Sequence, residues 1–140
     1  MTIKLENPLL VSKIMALAKT IPDTPLDTLE SMLLAGISDK DTAIYIEERN
    51  GEVRGFIFCS KEVWQGKPVA FIQFAVVKPI PEEKYIGFEL LTKIKLWAKD
   101  NGLTDMVFVT KRNPKVFEKK YHFKLDGYIL KREVLDVRTV

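Results

Sequence analysis

"TAIYIEERNGEVRGFIFCS" reads as two alternating, β-rich segments of apolar and polar positions joined at Asn50-Gly51. That pair suits the positive φ angles of a type I′ turn, so the segment is predicted to be a β-hairpin. "EVWQGKPVAFIQFAVVKP" turns again at Gln65-Gly66 and returns as an apolar strand from about Val69 to Val77. Its unbroken hydrophobicity places that strand centrally, covered on both faces. From Glu83 to Asp100 the period lengthens, with Leu90, Leu91, Ile94, Trp97 and Ala98 recurring at three- and four-residue spacing. This stripe requires an apolar sheet face to pack on, and the helix is closed near Asn101-Gly102.

The remaining segments flank this core. "TIKLE" is read as a short first strand, and Asn7 with Pro8 as the N-cap and first residue of a helix that aligns Leu10, Ile14, Leu17 and Ala18. "IPDTP" breaks the chain before a second helix, "LDTLESMLLAGI", with Gly36 as its stop. "TDMVFVT" is read as a buried strand, "NPKVFEKKY" as a short helix begun by Asn113 and Pro114, and "FKLDGYILKREV" as a final hairpin turning at Asp126-Gly127. The expected fold is an α/β (α+β) single domain over residues 1–140. It has a mixed, twisted sheet of six or seven strands flanked by about four helices.

Composition narrows the function classes. The 140 residues are 46% hydrophobic and 29% charged, and no apolar run approaches the roughly 20 residues of a membrane span. The N-terminus has no secretory leader pattern, so a cytoplasmic protein is expected. A single cysteine, Cys59, and a single histidine, His122, leave little for a disulfide or a metal site, and no metal is expected. Cys59, in an alternating apolar strand, reads as a small core residue. The net charge of +3 is mild, but residues 111–124 hold six Lys or Arg against the single acid Glu118. A solvated helix face explains that run; nucleic-acid binding ranks last among the readings. Trp64, beside the Gly66 turn, is a candidate contact surface.

"VVKPIPEEKYIGFELL", residues 76–91, delivers a strand through a proline-flanked turn onto a helix N-terminus. Unpaired N–H groups at such a terminus can hold a phosphate. With the element order, this stretch resembles the GNAT superfamily of N-acetyltransferases. In that family the fourth strand ends in Val-x-Pro, followed by Arg or Gln, two residues, Gly, one residue, Gly or Ala, and later paired leucines. Val77, Pro79, Gly87, Leu90 and Leu91 match without a gap. The resemblance implies an acyl-CoA-dependent N-acyltransferase that takes acetyl-CoA or another acyl-CoA and passes the acyl group to an amine on a small molecule or a protein. It implies that Ala75, Val76 and Val77 bond the pantetheine arm and that Lys84, Tyr85, Ile86, Gly87 and Phe88 receive the pyrophosphate, with Asn113 also on the cofactor.

Two departures accompany the match. Glu82 stands at the Arg or Gln position and Tyr85 at the first glycine, where a positive φ or a close backbone approach would exclude a side chain. The family's general-acid tyrosine aligns with Glu118 and His122 falls at the glycine; neighbouring Tyr121 and His122 could donate the proton, and Tyr121 is taken as the candidate. Gln73, Glu47 and Glu48 are the polar side chains on the sheet near a general base's position. The alternative is a GNAT-fold protein with a degenerate cofactor loop and no catalysis, acting through protein partners as an interaction or structural component, for example in a bacteriophage virion.

Overall fold

The structure is a computed structural model. It describes residues 2–110, 114–125, 127, 129, 130 and 132. These fall into two compact units, Met1–Val109 and Thr110–Val140.

The first unit holds the sheet. Strands β1 (Thr2–Lys4), β2 (Thr42–Arg49), β3 (Glu52–Trp64), β4 (Lys67–Val77) and β5 (Met106–Phe108) lie side by side in that order. The first three pairings are antiparallel and β4–β5 is parallel, which makes the sheet mixed. Both expected hairpins form. Asn50 and Gly51 have φ of 53° and 78°, and Gln65 and Gly66 have 50° and 80°, the paired positive angles of type I′ turns whose twist matches that of the strands.

Helices α1 (Val11–Ala18) and α2 (Leu26–Gly36) share one core with Ile44, Ile46, Phe56 and Phe58. The first expected helix opens differently from its reading: Pro8–Leu10 is a 3-10 turn, capped by the Asn7 side chain accepting from the Leu9 N–H at 3.0 Å, and α1 follows. Gly36 ends α2 as expected, though by close packing. A Cβ there would lie 3.0 Å from Thr42 Cγ2 and 3.2 Å from Phe58 Cε2, so its small size lets the helix end sit on the sheet.

Helix α3 (Glu83–Asp100) buries Leu90, Ile94, Trp97 and Ala98 of the stripe read from the spacing, with Ile86 added to it, while Leu91 is half-buried. Its approach to the sheet is set at Gly55 of β3, where a Cβ would meet Ile86 Cγ2 at 2.9 Å and Leu90 Cδ1 at 3.3 Å. The open position at Gly55 therefore lets the first turns of α3 lie directly over the end of β3 that pairs with Val77.

Two expectations need correction. Six or seven strands were expected, whereas the described residues form five. The two further strands belonged to the hairpin at Asp126-Gly127, whose described residues 123–125, 127, 129, 130 and 132 form no strand, the rest lying outside the described residues. β4 is central but not covered throughout: Val69, Ala70 and Ile72 are buried, whereas Ala75 is exposed. The cause is the brevity of β5, which pairs only with Ala70, Phe71 and Ile72.

The second unit contains α4 (Pro114–Tyr121), which has no buried residue. It ends on His122 in the left-handed region at φ 60°, with the Phe123 N–H donating to the Phe117 carbonyl at 3.3 Å. This is a helix stop of the kind glycine usually supplies.

Replacing Gly55 with Ala should cost about 1–3 kcal/mol of unfolding free energy in urea, because the new methyl must displace Ile86. An unchanged midpoint would show that Ile86 turns aside freely. Cys59 is wholly buried, and burial pushes its thiol up to about 12. A thiol reagent at pH 8 should leave it untouched in the native protein and modify it only after unfolding. Rapid modification of the native chain would contradict the packing of β3.

Candidate functional site

The open half of β4 is the centre of the site. One extra residue enters β4 opposite the Phe58–Cys59 junction: Phe58 faces Phe74 and Cys59 faces Ile72, so Gln73 is a bulge. Before it, the Ala70 N–H donates across to Asp105 at 2.9 Å, toward the β5 side. Beyond β4, the Lys78 N–H donates to Arg54 at 2.8 Å, toward β3. Counting back from Lys78 by the alternation of strand backbone groups, Val76 and Phe74 face β3. Ala75 and Val77 therefore present their N–H and C=O groups to the opposite edge, past the last pairing with β5. Of the three β4 residues in the sequence expectation, Ala75 and Val77 are aimed at that edge, and Val76 points its backbone into the ladder.

β4 runs through Lys78, Pro79, Ile80 and Pro81 to the first turn of α3. The Glu83 N–H donates to Ile80 at 2.9 Å, and the first α-helical bond is from Ile86 N–H to Glu82 at 2.9 Å. The N–H groups of Lys84 and Tyr85 have no hydrogen-bond partner among the described residues. Glu82 occupies the N-cap position at φ −84° without a side-chain capping bond. Two donors and the positive end of an 18-residue helix dipole therefore face outward beside the free edge of β4.

Tyr85 has no positive φ, so the turn does not require glycine there, and the side chain is 68% exposed. Lys84 and Phe88 are also exposed, with Lys84 Nζ 5.9 Å from the Phe88 ring centre, whereas Ile86 and Gly87 are buried. Those two can contribute backbone only. Asn113 lies outside the described residues, and Tyr121 ends α4 in the second unit, half-buried.

A cation that sequence reasoning missed stands at the same end of the sheet. Arg54 donates through Nε and NH2 to the two carboxylate oxygens of Glu47, each at 2.9 Å. The Glu47 hydrogen bond is the main cause of its raised pKa, and the Glu82 carboxylate adds to it, which places Arg54 in the field of the α3 N-terminus. In the sequence, seven positions separate Arg54 from Glu47, and only the hairpin brings them together. The same bond holds the Glu47 carboxyl below its ordinary range, against some opposing desolvation. Glu47 is 6% exposed and engaged twice, a poor arrangement for a general base. Glu48 lies 3.8 Å from Lys13 Nζ. Gln73 donates from Nε2 to Ser60 Oγ at 2.9 Å, and that hydroxyl donates to Glu62 Oε1 at 3.0 Å.

Among the described residues, no three His, Cys, Asp or Glu side chains are grouped to hold a metal ion, and no helix is long and apolar enough to cross a membrane.

The GNAT acetyltransferase family model matches residues 11–123. Among solved structures, the chain is similar to AAC(6')-Iy in complex with the bisubstrate analog CoA-S-monomethyl-acetylneamine, at 19% identity and TM-score 0.79, covering 96% of this chain and 98% of that one. It is also similar to the aminoglycoside antibiotic 6'-N-acetyltransferase AAC(6')-IG from Acinetobacter haemolyticus, at 12% identity and TM-score 0.80, with 97% and 99% covered. A predicted acetyltransferase with acetyl-CoA from Clostridium acetobutylicum gives 14% identity and TM-score 0.75, with 95% and 96% covered. At these identities the likeness is one of fold. Comparison with curated proteins gives no match.

Glu47→Gln should lower the melting temperature at pH 7. Because the folded pKa of Glu47 is depressed, its contribution is present above the unfolded value near 4.5 and fades as pH falls through the folded one. The gap between natural protein and variant should therefore close on acidification below pH 4. A gap that persists there would mean that Glu47 acts through packing alone.

Proposed function

The chain belongs to the GNAT acetyltransferase family, and on that premise we propose that it is an acyl-CoA-dependent N-acetyltransferase acting on a primary amine. The observation that carries the reading is the edge of β4 at Ala75 and Val77, unpaired among the described residues and leading to the N–H groups of Lys84 and Tyr85, which have no partner among them either. An extended amide-containing arm fits such an edge as an added strand, and a pyrophosphate fits the helix terminus. The solved structures with CoA or acetyl-CoA bound support the same assignment.

In this reading the backbone of Ala75 and Val77 binds the arm and fixes its direction. The N–H groups of Lys84 and Tyr85 hold the anionic end, with the Lys84 ammonium and the α3 dipole favouring it. Glu82 opposes it by something on the order of 1 kcal/mol even with solvent screening. Arg54 counters part of that field. When bound, acetyl-CoA supplies an acyl group already activated as a thioester, so the protein's contribution is positioning and electrostatic stabilisation of a direct amine attack.

A cleft filled by Tyr85 and its neighbours would favour the non-catalytic alternative. That side chain lies in the solvent instead, and nothing in the comparisons points to a virion component.

Acetyl-CoA should raise the melting temperature of the natural protein, since a ligand at 100 times its Kd stabilises the folded state by about 2.7 kcal/mol. Glu82→Arg should tighten binding about tenfold by reversing a repulsive charge. Tyr85→Gly should not help, because it removes a side chain that is already out of the way and weakens the first helical turn by about 1 kcal/mol. Absence of any thermal shift, together with no acetyl transfer to any of a panel of amines, would sink the enzymatic reading.

A further inference from the structure

A second concavity opens where β4 leaves β5. It has a volume of about 360 Å³ and is lined by Glu62, Val63, Trp64, Phe71 and Gln73. Its face of the sheet follows from strand alternation. Phe58 packs in the core with α1 and α2, so Ser60, Glu62 and Trp64 continue along the α1–α2 face of β3. Gln73 is the bulge residue and the first of β4 beyond the β5 pairing. The five residues from Gln73 to Val77 span roughly 13 Å. The concavity thus lies at one end of the open edge and the unpaired donors of α3 at the other, and the α3 contact at Gly55 is on the opposite face of the sheet.

The chemistry of the walls is specific. Trp64 and Phe71 lie with ring centres 6.0 Å apart at 48°, forming an angled aromatic surface. Glu62 is fixed beside it by the chain from Gln73 through Ser60, which occupies Oε1. Oε2 has no hydrogen-bond or ion-pair partner among the described residues. Across the hairpin from Trp64 is Lys67, a cation that disfavours a second positive charge in the ligand. One accessible carboxylate oxygen, two rings and a nearby lysine favour one ammonium on a flat apolar body.

We infer that this concavity is the acceptor site and that it takes a primary monoamine carried on an aromatic or flat apolar group, the ammonium held by Glu62 and the body by Trp64 and Phe71. The inference rests on the acyltransferase reading for the word acceptor, but the ligand site can be tested without acetyl-CoA. Trp64 itself reports binding, because the only other indole, Trp97, is 8% exposed in the α3 core.

The experiment is a tryptophan-fluorescence titration of the full chain with three probes: 2-phenylethylamine, the uncharged 2-phenylethanol and the ringless diamine putrescine. Saturable quenching by 2-phenylethylamine, at least about tenfold tighter than by either of the others, is expected. Glu62→Gln should weaken the amine about tenfold and leave the alcohol unchanged, and Glu62 is exposed, so the variant should fold. Trp64→Phe, followed by calorimetry, should retain most of the affinity, whereas Trp64→Ala should lose it. Preference for putrescine, equal binding of amine and alcohol, or indifference to Glu62→Gln would each overturn the assignment. The thermal shift with acetyl-CoA is read separately: if it is absent while the amine still binds through Glu62, the acyltransferase reading falls and the amine site stands.

Discussion

Among the described residues β4 is paired along one edge for its whole length and along the other for three residues only, and the proposed site depends on that inequality. An unpaired strand edge usually carries a cost, since its N–H and C=O groups invite association with another chain. Here the open edge is short and interior to the sheet order, bounded by β5 on one side and by the turn into α3 on the other. The Gln73 bulge shifts the alternation of the backbone, so that Ala75 and Val77, instead of Phe74 and Val76, present their polar groups outward. A strand without the bulge would have left the opposite set of side chains on the core, and Phe74 and Val76 pack against that core. One inserted residue reconciles a buried apolar face with an outward-facing backbone.

The second constraint is how close α3 comes to the sheet. With Gly55 beneath Ile86 and Leu90, the helix needs only a five-residue turn from Lys78 to Glu82, and its N-terminal donors emerge at the level of the strand end. A side chain at 55 would lift the first turn, and the donors would no longer line up with the backbone of Val77. The same contact that packs the core therefore also fixes where the proposed anion donors emerge.

Much of this architecture was legible because the signals were local. Asn50-Gly51 and Gln65-Gly66 specify their turns through the φ angles they tolerate, and the Leu90–Ile94–Trp97 stripe specifies a buried helix face by period alone. The site was less legible because its parts are not local. Arg54 carries no motif, and its pairing with Glu47 arises only from hairpin register. The chain from Gln73 to Ser60 to Glu62 crosses two strands at a bulge that no pattern in "FIQFAVV" announces. The half of β4 beyond β5 looked paired on both edges because Phe74, Val76 and Val77 are apolar, and apolar residues cannot reveal that the neighbouring strand stops three pairs in. The expected hairpin at Asp126-Gly127 was read from turn chemistry, and its described residues form no strand.

The two departures from the family's loop pattern differ in physical weight. At position 85 glycine would matter only if the backbone had to enter the left-handed region or if the space over the residue were occupied. The chain is helical there and the tyrosine stands in solvent, so the N–H that a phosphate needs is presented as well by Tyr85 as by glycine. At position 82 the change is one of charge, and charge acts at a distance through whatever backbone carries it. Glu82 lies at the positive end of α3, where a carboxylate stabilises the helix and competes with any ligand anion for the same field. The substitution therefore favours the fold while working against the ligand, and Arg54 and Lys84 only partly offset it. On the proposed reading, a loop of this composition would keep the backbone donors of an anion site and lower its affinity, a change in strength and not a loss of the site.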